Sequence, residues 1–348
     1  MSAMLIPHLP LDTLGRPLRD LRLSVIEACN FRCPYCMPAE RVGEDYGLDA
    51  ASRLSFDEIE RLVHAAVRVG VRKLRITGGE PLLRKGLPAL IARLARVEGL
   101  DDIALTTNGS LLAVHAQALR DAGLRRLTVS LDAIAPDLFA RLSGGRGRID
   151  DTLAGIAAAR AAGFTALKLN CVVQRGVNED QVLPLADYAR REGHTLRFIE
   201  YMDVGTCNAW DPARVVTSAE LRERLHAQWP LRALQPQYRG EVAERHAYLD
   251  GAGEVGFVSS ISQPFCGDCH RARVSADGRL YTCLFAGDGT DLRPTLAADI
   301  DDDTRTQTLA ALWRARADRY SELRADVAQN GHAGRTSSRR VEMFLVGG

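Results

Sequence analysis

Cys29, Cys33 and Cys36 stand in the segment CNFRCPYC with the spacing C-x3-C-x2-C, directly after an apolar strand-like run at 21–26. A closed iron–sulfur or zinc site takes four protein ligands. Three thiolates on one tight loop can instead hold three irons of a 4Fe–4S cube. The fourth iron is then open to chelate a small molecule and pass it an electron. A zinc knuckle would call for C-x2-C pairs with a further pair or histidines close by. The nearest histidines, His8 and His64, sit in unrelated contexts. A disulfide scheme would leave one of the three thiols unpaired.

A second set of three follows near the C-terminus: Cys266-x2-Cys269-x13-Cys283. A predicted hairpin between Cys269 and Cys283 brings these two together. Two readings stay open here. One is a structural zinc site with His270 as the fourth ligand. The other is a second cluster whose open iron receives a heteroatom of a substrate. Of the remaining cysteines, Cys171 reads as core and Cys207 as solvent-side filler, or less simply as a fourth ligand.

Two shorter motifs accompany the cysteines. Gly78-Gly79-Glu80-Pro81 follows the second predicted strand, where glycines let backbone approach a ligand and a carboxylate can grip an ammonium group. Arg271-Ala272-Arg273 begins two residues after Cys269. Residues two apart in a strand share a face, so both guanidiniums can aim at one anion, and their fork geometry suits phosphate oxygens.

Composition narrows the class. With 348 residues and 46% hydrophobic content the chain can bury a sizeable core. A net charge of +1 argues against nucleic acid as a partner, and no apolar run approaches the length of a membrane span. The first residues show no basic region followed by an apolar stretch. Eight cysteines in such a chain point to a cytoplasmic location with reduced thiols used for metal. The chain holds 42 Arg and only three Lys, at 73, 85 and 168. Where charge alone suffices it carries Arg, so Lys73 and Lys168 become candidates for sites needing a compact ammonium.

The elements that must position these groups form a regular series. Strands are predicted at 21–26, 73–77, 103–107, 127–131, 167–173 and 196–201. Helices between them are predicted at 55–69, 87–97, 111–122, 136–142, 152–162 and 179–191. Six βα units in series imply a parallel sheet. Polar residues at the strand ends, among them Thr77, Thr106, Ser130, Asn170 and Glu200, mark the end where barrel sites form. The pattern changes after Tyr201, so the fold expected is α/β, a partial (β/α)6 TIM-type barrel over residues 1–217. A β-hairpin-rich extension over 218–348 carries the second cysteine set, with hairpins at 242–249/255–261 and 271–275/280–284 and a last helix at 304–324.

Taken together, Gly15-Arg16, LRLSVIEACNFRCPYCMP (21–38), KLRITGGEPLLR (73–84), LTTNG (105–109), VSLDA (129–133), KLNCVVQRGVN (168–178), RFIEYMDVG (197–205), SISQPFCGDCHRARVSADGRLYTCLF (260–285) and the terminal Gly347-Gly348 resemble the GTP 3′,8-cyclases. These are radical S-adenosylmethionine (SAM) enzymes of molybdenum cofactor biosynthesis. The resemblance implies two 4Fe–4S clusters, one on Cys29, Cys33 and Cys36 with SAM on its open iron, the other on Cys266, Cys269 and Cys283 with guanine on its open iron. It implies SAM contacts at Tyr35, Gly78, Gly79, Glu80, Ser130 and Met202. It implies GTP contacts at Arg22, Lys73, Arg75, Thr106, Lys168, Arg271, Ala272 and Arg273, and a C-terminal pair, Gly347 and Gly348, inserted toward the site. The implied reaction is abstraction of H3′ of GTP by a 5′-deoxyadenosyl radical and closure to 3′,8-cyclo-7,8-dihydro-GTP. The implied partners are GTP, an external flavodoxin-like one-electron reductant and a downstream cyclic pyranopterin monophosphate synthase, with no nucleic acid and no membrane. Monomer and homodimer both stay open. His270 departs from the Asn more usual in the family, and Phe344-Leu-Val precedes the diglycine where a smaller polar residue is common. The rival readings are another radical SAM enzyme with an auxiliary cluster and a non-catalytic metalloprotein.

Overall fold

Alternation with a period of two runs through the strands. In β1 (Asp20–Ser24) Leu21 and Leu23 are buried in the apolar layer while Asp20 and Arg22 face the other way. In β2 (Lys73–Thr77) Leu74 and Ile76 are buried and Lys73 and Arg75 face with Asp20 and Arg22. Side chains on a strand alternate between faces, so each strand gives its apolar half to the surrounding helices and its polar half to the interior. The computed structural model describes residues 9–43, 46–47, 49–165, 167–324 and 340–347.

β3 (Asp102–Thr107), β4 (Arg126–Ser130), β5 (Lys168–Val173) and β6 (Thr195–Glu200) complete six consecutive parallel strands. The helices between them include α1 (Phe56–Val69), α2 (Leu87–Leu94), α3 (Leu112–Asp121), α4 (Pro136–Leu142), α5 (Ile149–Ala161) and α6 (Val182–Glu192). α1 starts on a capping box. Ser55 Oγ accepts from Glu58 N at 3.2 Å and Glu58 Oε2 accepts from Ser55 N at 2.7 Å. It ends at Gly70, whose φ of 130° an L side chain rarely adopts. The six-unit partial barrel expected from the sequence is present.

The C-terminal region enters the same sheet. After α7 (Ser218–Gln228) come β7 (Leu231–Ala233), β8 (Glu244–Tyr248) and β9 (Glu254–Val258), and β9 lies parallel to β6. β10 (Arg271–Val274) lies parallel to β1 at the opposite edge, followed by β11 (Arg279–Tyr281) and β12 (Thr290–Asp291). The order is β12-β11-β10-β1-β2-β3-β4-β5-β6-β9-β8-β7. The expected hairpins form, yet each lends its inner strand to the barrel, which then has eight parallel strands in an open arc. α8 (Arg293–Leu296) and α9 (Asp302–Arg314) pack outside, the latter shorter than the expected 304–324 helix because the chain turns at 315–319 before resuming helical form at 320–324. Among the described residues no helix is long and apolar enough to cross a membrane.

Candidate active site

The first cysteine loop is built onto the glycine motif. Gly79 N donates to Ile26 O at 2.7 Å and Glu80 N donates to Ala28 O at 2.9 Å, immediately before Cys29. A Cβ at Gly78 would collide with the Ile26 carbonyl, and one at Gly79 with those of Glu27 and Ala28. These glycines therefore let two segments of the chain touch, a use the sequence reading had assigned to ligand approach. Glu80 is buried, with Oε1 accepting from Leu82 N and Thr107 Oγ1 and Oε2 from Asn108 N. Burial pushes its carboxyl up to about 7 against those three hydrogen bonds. Its side chain ties its own turn to the Thr107–Asn108 segment at the end of β3.

Within the loop, Cys36 N and Met37 N both donate to Cys33 O at 3.0 and 2.9 Å. Arg32 fixes the other flank, donating to the carbonyls of Cys29 at 2.7 Å and Phe31 at 3.0 Å. Tyr35 donates to Asp132 Oδ2 at 2.7 Å, and burial lifts Asp132 to about 6. Ser130 lies at the end of β4 opposite Asn170. Burial raises the thiols of Cys29, to about 11, and of Cys33 and Cys36, each pushed further by its neighbours' charge.

The second triad lines a cavity of about 420 Å³ inside the arc, together with Met202, Asp20 and Lys168. Arg22, Arg75, Arg197, Arg271 and Arg273 line it too. The register explains this convergence. Arg273, Arg22 and Arg75 are direct neighbours across β10, β1 and β2, and Arg271, Asp20 and Lys73 form the row before them. The Nε atoms of Arg22, Arg75, Arg271 and Arg273 and Oδ1 of Asp20 are buried with no hydrogen-bond partner. Burial, then the like charges of Arg273, Arg75 and Arg271, depress Arg22 well below the usual guanidinium range, and burial with Arg271 brings Arg273 to about 10. A polyanion would relieve this repulsion and partner these donors.

Several expected contacts fall outside the cavity lining. Lys73 places Nζ 3.8 Å from the centre of the Tyr238 ring, and Tyr238 lines the cavity. Thr106 Oγ1 accepts from Arg75 at 3.3 Å. Ala272 turns into the apolar core. Cys29, Cys33, Cys36, Tyr35, Gly78, Gly79, Glu80 and Ser130 group on the neighbouring loops instead. Gly347 is wedged against the Thr77 side chain with φ of 66°, at the start of the glycine motif, while Gly348 lies outside the described residues. Cys171 is core as expected. Cys207 is not solvent-side filler: its thiol donates to Glu342 Oε2 at 2.9 Å and faces the Cys36 carbonyl oxygen at 3.7 Å.

A buried cluster, of which the sequence points to Arg16 alone, carries the second triad. Arg16 donates to Asp12 Oδ2 at 2.6 Å and to Cys266 O at 2.7 Å. Arg316 donates to Asp12 Oδ2 at 3.1 Å, to Cys269 O at 2.7 Å and to Thr282 O at 3.1 Å. Two guanidiniums on one carboxylate thus hold the backbone at or beside each cysteine. Burial raises Cys269, but Arg271 and Arg316 outweigh it and bring the thiol down to about 6. Burial leaves Cys283 at about 11. Arg197 and Asp20 were also missed, although each stands in phase with inward-facing strand neighbours, a signal the alternation carries.

Among the described residues, no three His, Cys, Asp or Glu side chains converge as around one metal ion. A four-iron cube asks for a different arrangement, three thiolates on three separate irons. A cationic cluster would take each cysteine as its thiolate in place of the proton, and Arg271 and Arg316 already favour that form at Cys269.

Comparison with known proteins follows this geometry. Residues 23–189 match the Radical SAM superfamily and residues 194–322 match Molybdenum Cofactor Synthesis C. The chain is 67% identical over 339 residues to a GTP 3′,8-cyclase of Xanthomonas campestris pv. campestris, covering 97% of each chain. The chain belongs to the GTP 3′,8-cyclase family. A relative of the same description from Acidothermus cellulolyticus is 50% identical, with 97% of this chain and 98% of that one covered. Among solved structures, native anSMEcpe with bound AdoMet and Cp18Cys peptide superposes with a TM-score of 0.54 at 15% identity, over 87% of this chain and 85% of that one. That likeness shows the fold. Family membership makes the chain a radical SAM enzyme, and SAM and iron–sulfur clusters are its cofactors.

Proposed function

We propose that the chain converts GTP to 3′,8-cyclo-7,8-dihydro-GTP in the first step of molybdopterin formation. The observation that carries this reading is the cationic row Arg273–Arg22–Arg75 facing a cavity that the cysteines of the second triad also line. A triphosphate and a purine that approaches a second cluster fit those two features together.

On this reading Cys29, Cys33 and Cys36 would hold the SAM cluster and Cys266, Cys269 and Cys283 the auxiliary cluster. Bound there, the first cluster and SAM would supply the 5′-deoxyadenosyl radical that takes H3′ of GTP; C3′ would close onto C8, and one further electron, from the external donor by way of the auxiliary cluster, with a proton would complete the dihydro product. Arg22, Arg75, Arg271 and Arg273 bind and orient the phosphates, which position the substrate and do not react. Lys168 adds a compact ammonium, and Lys73 reaches the cavity only by way of Tyr238. Groups of Tyr35, Gly78, Gly79, Glu80, Ser130 and Met202 are offered to SAM, and Gly347 stands beside Thr77 at the start of the glycine motif. Residues 1–217 act as the radical-generating part and 218–348 as the auxiliary-cluster part. Electrons come from an external flavodoxin-like donor in the cytoplasm, and the product passes to cyclic pyranopterin monophosphate synthase.

The test is anaerobic reconstitution followed by incubation with SAM, dithionite and GTP. The expected outcome is one 5′-deoxyadenosine and one cyclised nucleotide per turnover. SAM cleavage that leaves GTP intact would exclude the reading.

A further inference from the structure

The C-terminal segment 340–347 is held by a small set of polar contacts that lie away from the cavity. Glu342 Oε1 accepts from Thr206 N at 2.9 Å and from Thr206 Oγ1 at 2.7 Å. Its Oε2 accepts from the Cys207 thiol at 2.9 Å. The carboxylate lies so close to Gly205 that a Cβ there would overlap it, and Gly205 has φ of 73°. The crossing at 203–208 is thus shaped to receive this one side chain. A second anchor lies beside it: Asp203 accepts from Tyr320, Arg324 and Arg340, with Arg340 at 3.0 Å.

From Glu342 the helical turn Met343–Val346 leads directly to Gly347. Phe344 packs with Met37 and Val42 next to Cys29 and Cys36, and Val346 packs with Tyr281 and Val341. Val341 N donates to Ala286 O at 2.9 Å, three residues beyond Cys283. The segment therefore bridges the two cysteine loops, and its polar register is set at Glu342. A shift there would withdraw Gly347 from Thr77.

We propose that Glu342 is a positioning residue for the cyclisation: its carboxylate, received by Thr206 and Cys207, seats Gly347 at Thr77 and so couples radical generation to ring closure. This rests on the cyclase reading for its consequence, but the seating itself does not. Glu342 places its hydrogen bonds on Thr206 and Cys207 and none on a cysteine of either triad, so its removal should spare both clusters. The prediction separates it from a residue that merely supports the first cysteine loop.

The experiment compares the reconstituted wild-type chain with Glu342→Ala and the conservative Glu342→Gln. Iron content, 5′-deoxyadenosine and cyclised nucleotide are measured together. Mass spectrometry follows removal of the terminal glycines by a carboxypeptidase. For Glu342→Ala, iron and 5′-deoxyadenosine should stay within about twofold, while cyclised product per 5′-deoxyadenosine falls at least about tenfold, as loss of two charge-assisted hydrogen bonds to Thr206 warrants. Glycine removal should accelerate by a similar factor. Glu342→Gln, which keeps an acceptor for Thr206, should recover most of both. An unchanged product ratio with unchanged protease protection overturns the proposal. Loss of iron in step with product overturns it too, since Glu342 would then be a cluster-loop support. Should the wild-type chain itself make no cyclised nucleotide, the cyclase reading fails, and the protease arm still decides whether Glu342 seats the tail.

Discussion

Arg316 donates to the carbonyl oxygen of Cys269 at 2.7 Å while sharing the buried carboxylate of Asp12 with Arg16. The three charges form a closed unit more than 250 residues apart in sequence at its extremes, and the cysteine backbone hangs on it.

Removal of Asp12 should therefore be costly twice. Asp12→Ala leaves Arg16 buried without a counter-charge and Arg316 with Asp318 alone at 3.5 Å, a change expected to cost about 3–5 kcal/mol of stability, read from denaturant unfolding of the cluster-free chain. In the reconstituted protein the second triad should loosen first, so iron should fall from about eight to about four per chain while SAM cleavage persists. Full iron retention would show that the unit serves the fold alone.

Gly79→Ala should produce the opposite loss. A Cβ at this position collides with the carbonyls of Glu27 and Ala28, so the loop carrying Cys29 must move. Iron should again fall to about four per chain, this time with loss of SAM cleavage and retention of GTP binding. Calorimetric titration with GTP beside an iron assay separates the two variants.

Arg22 and Arg273 should act as binding groups. Each sits in the three-arginine row with Nε buried and unpartnered. Arg22→Ala or Arg273→Ala should weaken GTP about 10- to 100-fold, the range for a lost charge-assisted hydrogen bond, with SAM cleavage in the absence of GTP unchanged. Equal affinities for wild type and both variants would place the triphosphate elsewhere.

Much of this site could be read before any coordinates. Cysteine spacing is local chemistry, the family resemblance implies Arg22, Arg75 and Lys168, and the alternation of β1, β2 and β5 sets these three on the inward face. The attachment of β9 and β10 to opposite edges of the arc could not be read, because a strand's sequence does not say which edge it will pair with. Asp12, Arg316 and Glu342 were illegible for a related reason. Each is an ordinary charged residue in its own neighbourhood and acquires meaning from a partner far along the chain. The bonds by which both oxygens of Glu80 tie its turn to the end of β3 were equally unreadable, because their donors Thr107 and Asn108 stand a whole βα unit away.

Lys168 gives a pH dependence with a definite sign. Burial, then the charges of Arg197, Arg126 and Arg75, bring its ammonium down to about 8 from an ordinary 10.5. In the ligand-free protein the folded state releases this proton more readily than the unfolded chain does. Lys168 therefore adds stability as pH rises from about 8 toward 10.5 and opposes folding below that window. Phosphate binding reverses the balance, because a polyanion favours the charged form. GTP binding should then take up a proton near pH 8–9, seen as a dependence of the titration heat on buffer ionisation enthalpy. Affinity should fall as pH rises through 8, and Lys168→Arg, charged throughout, should flatten that profile. A wild-type profile as flat as that of Lys168→Arg would show that Lys168 does not meet the phosphates.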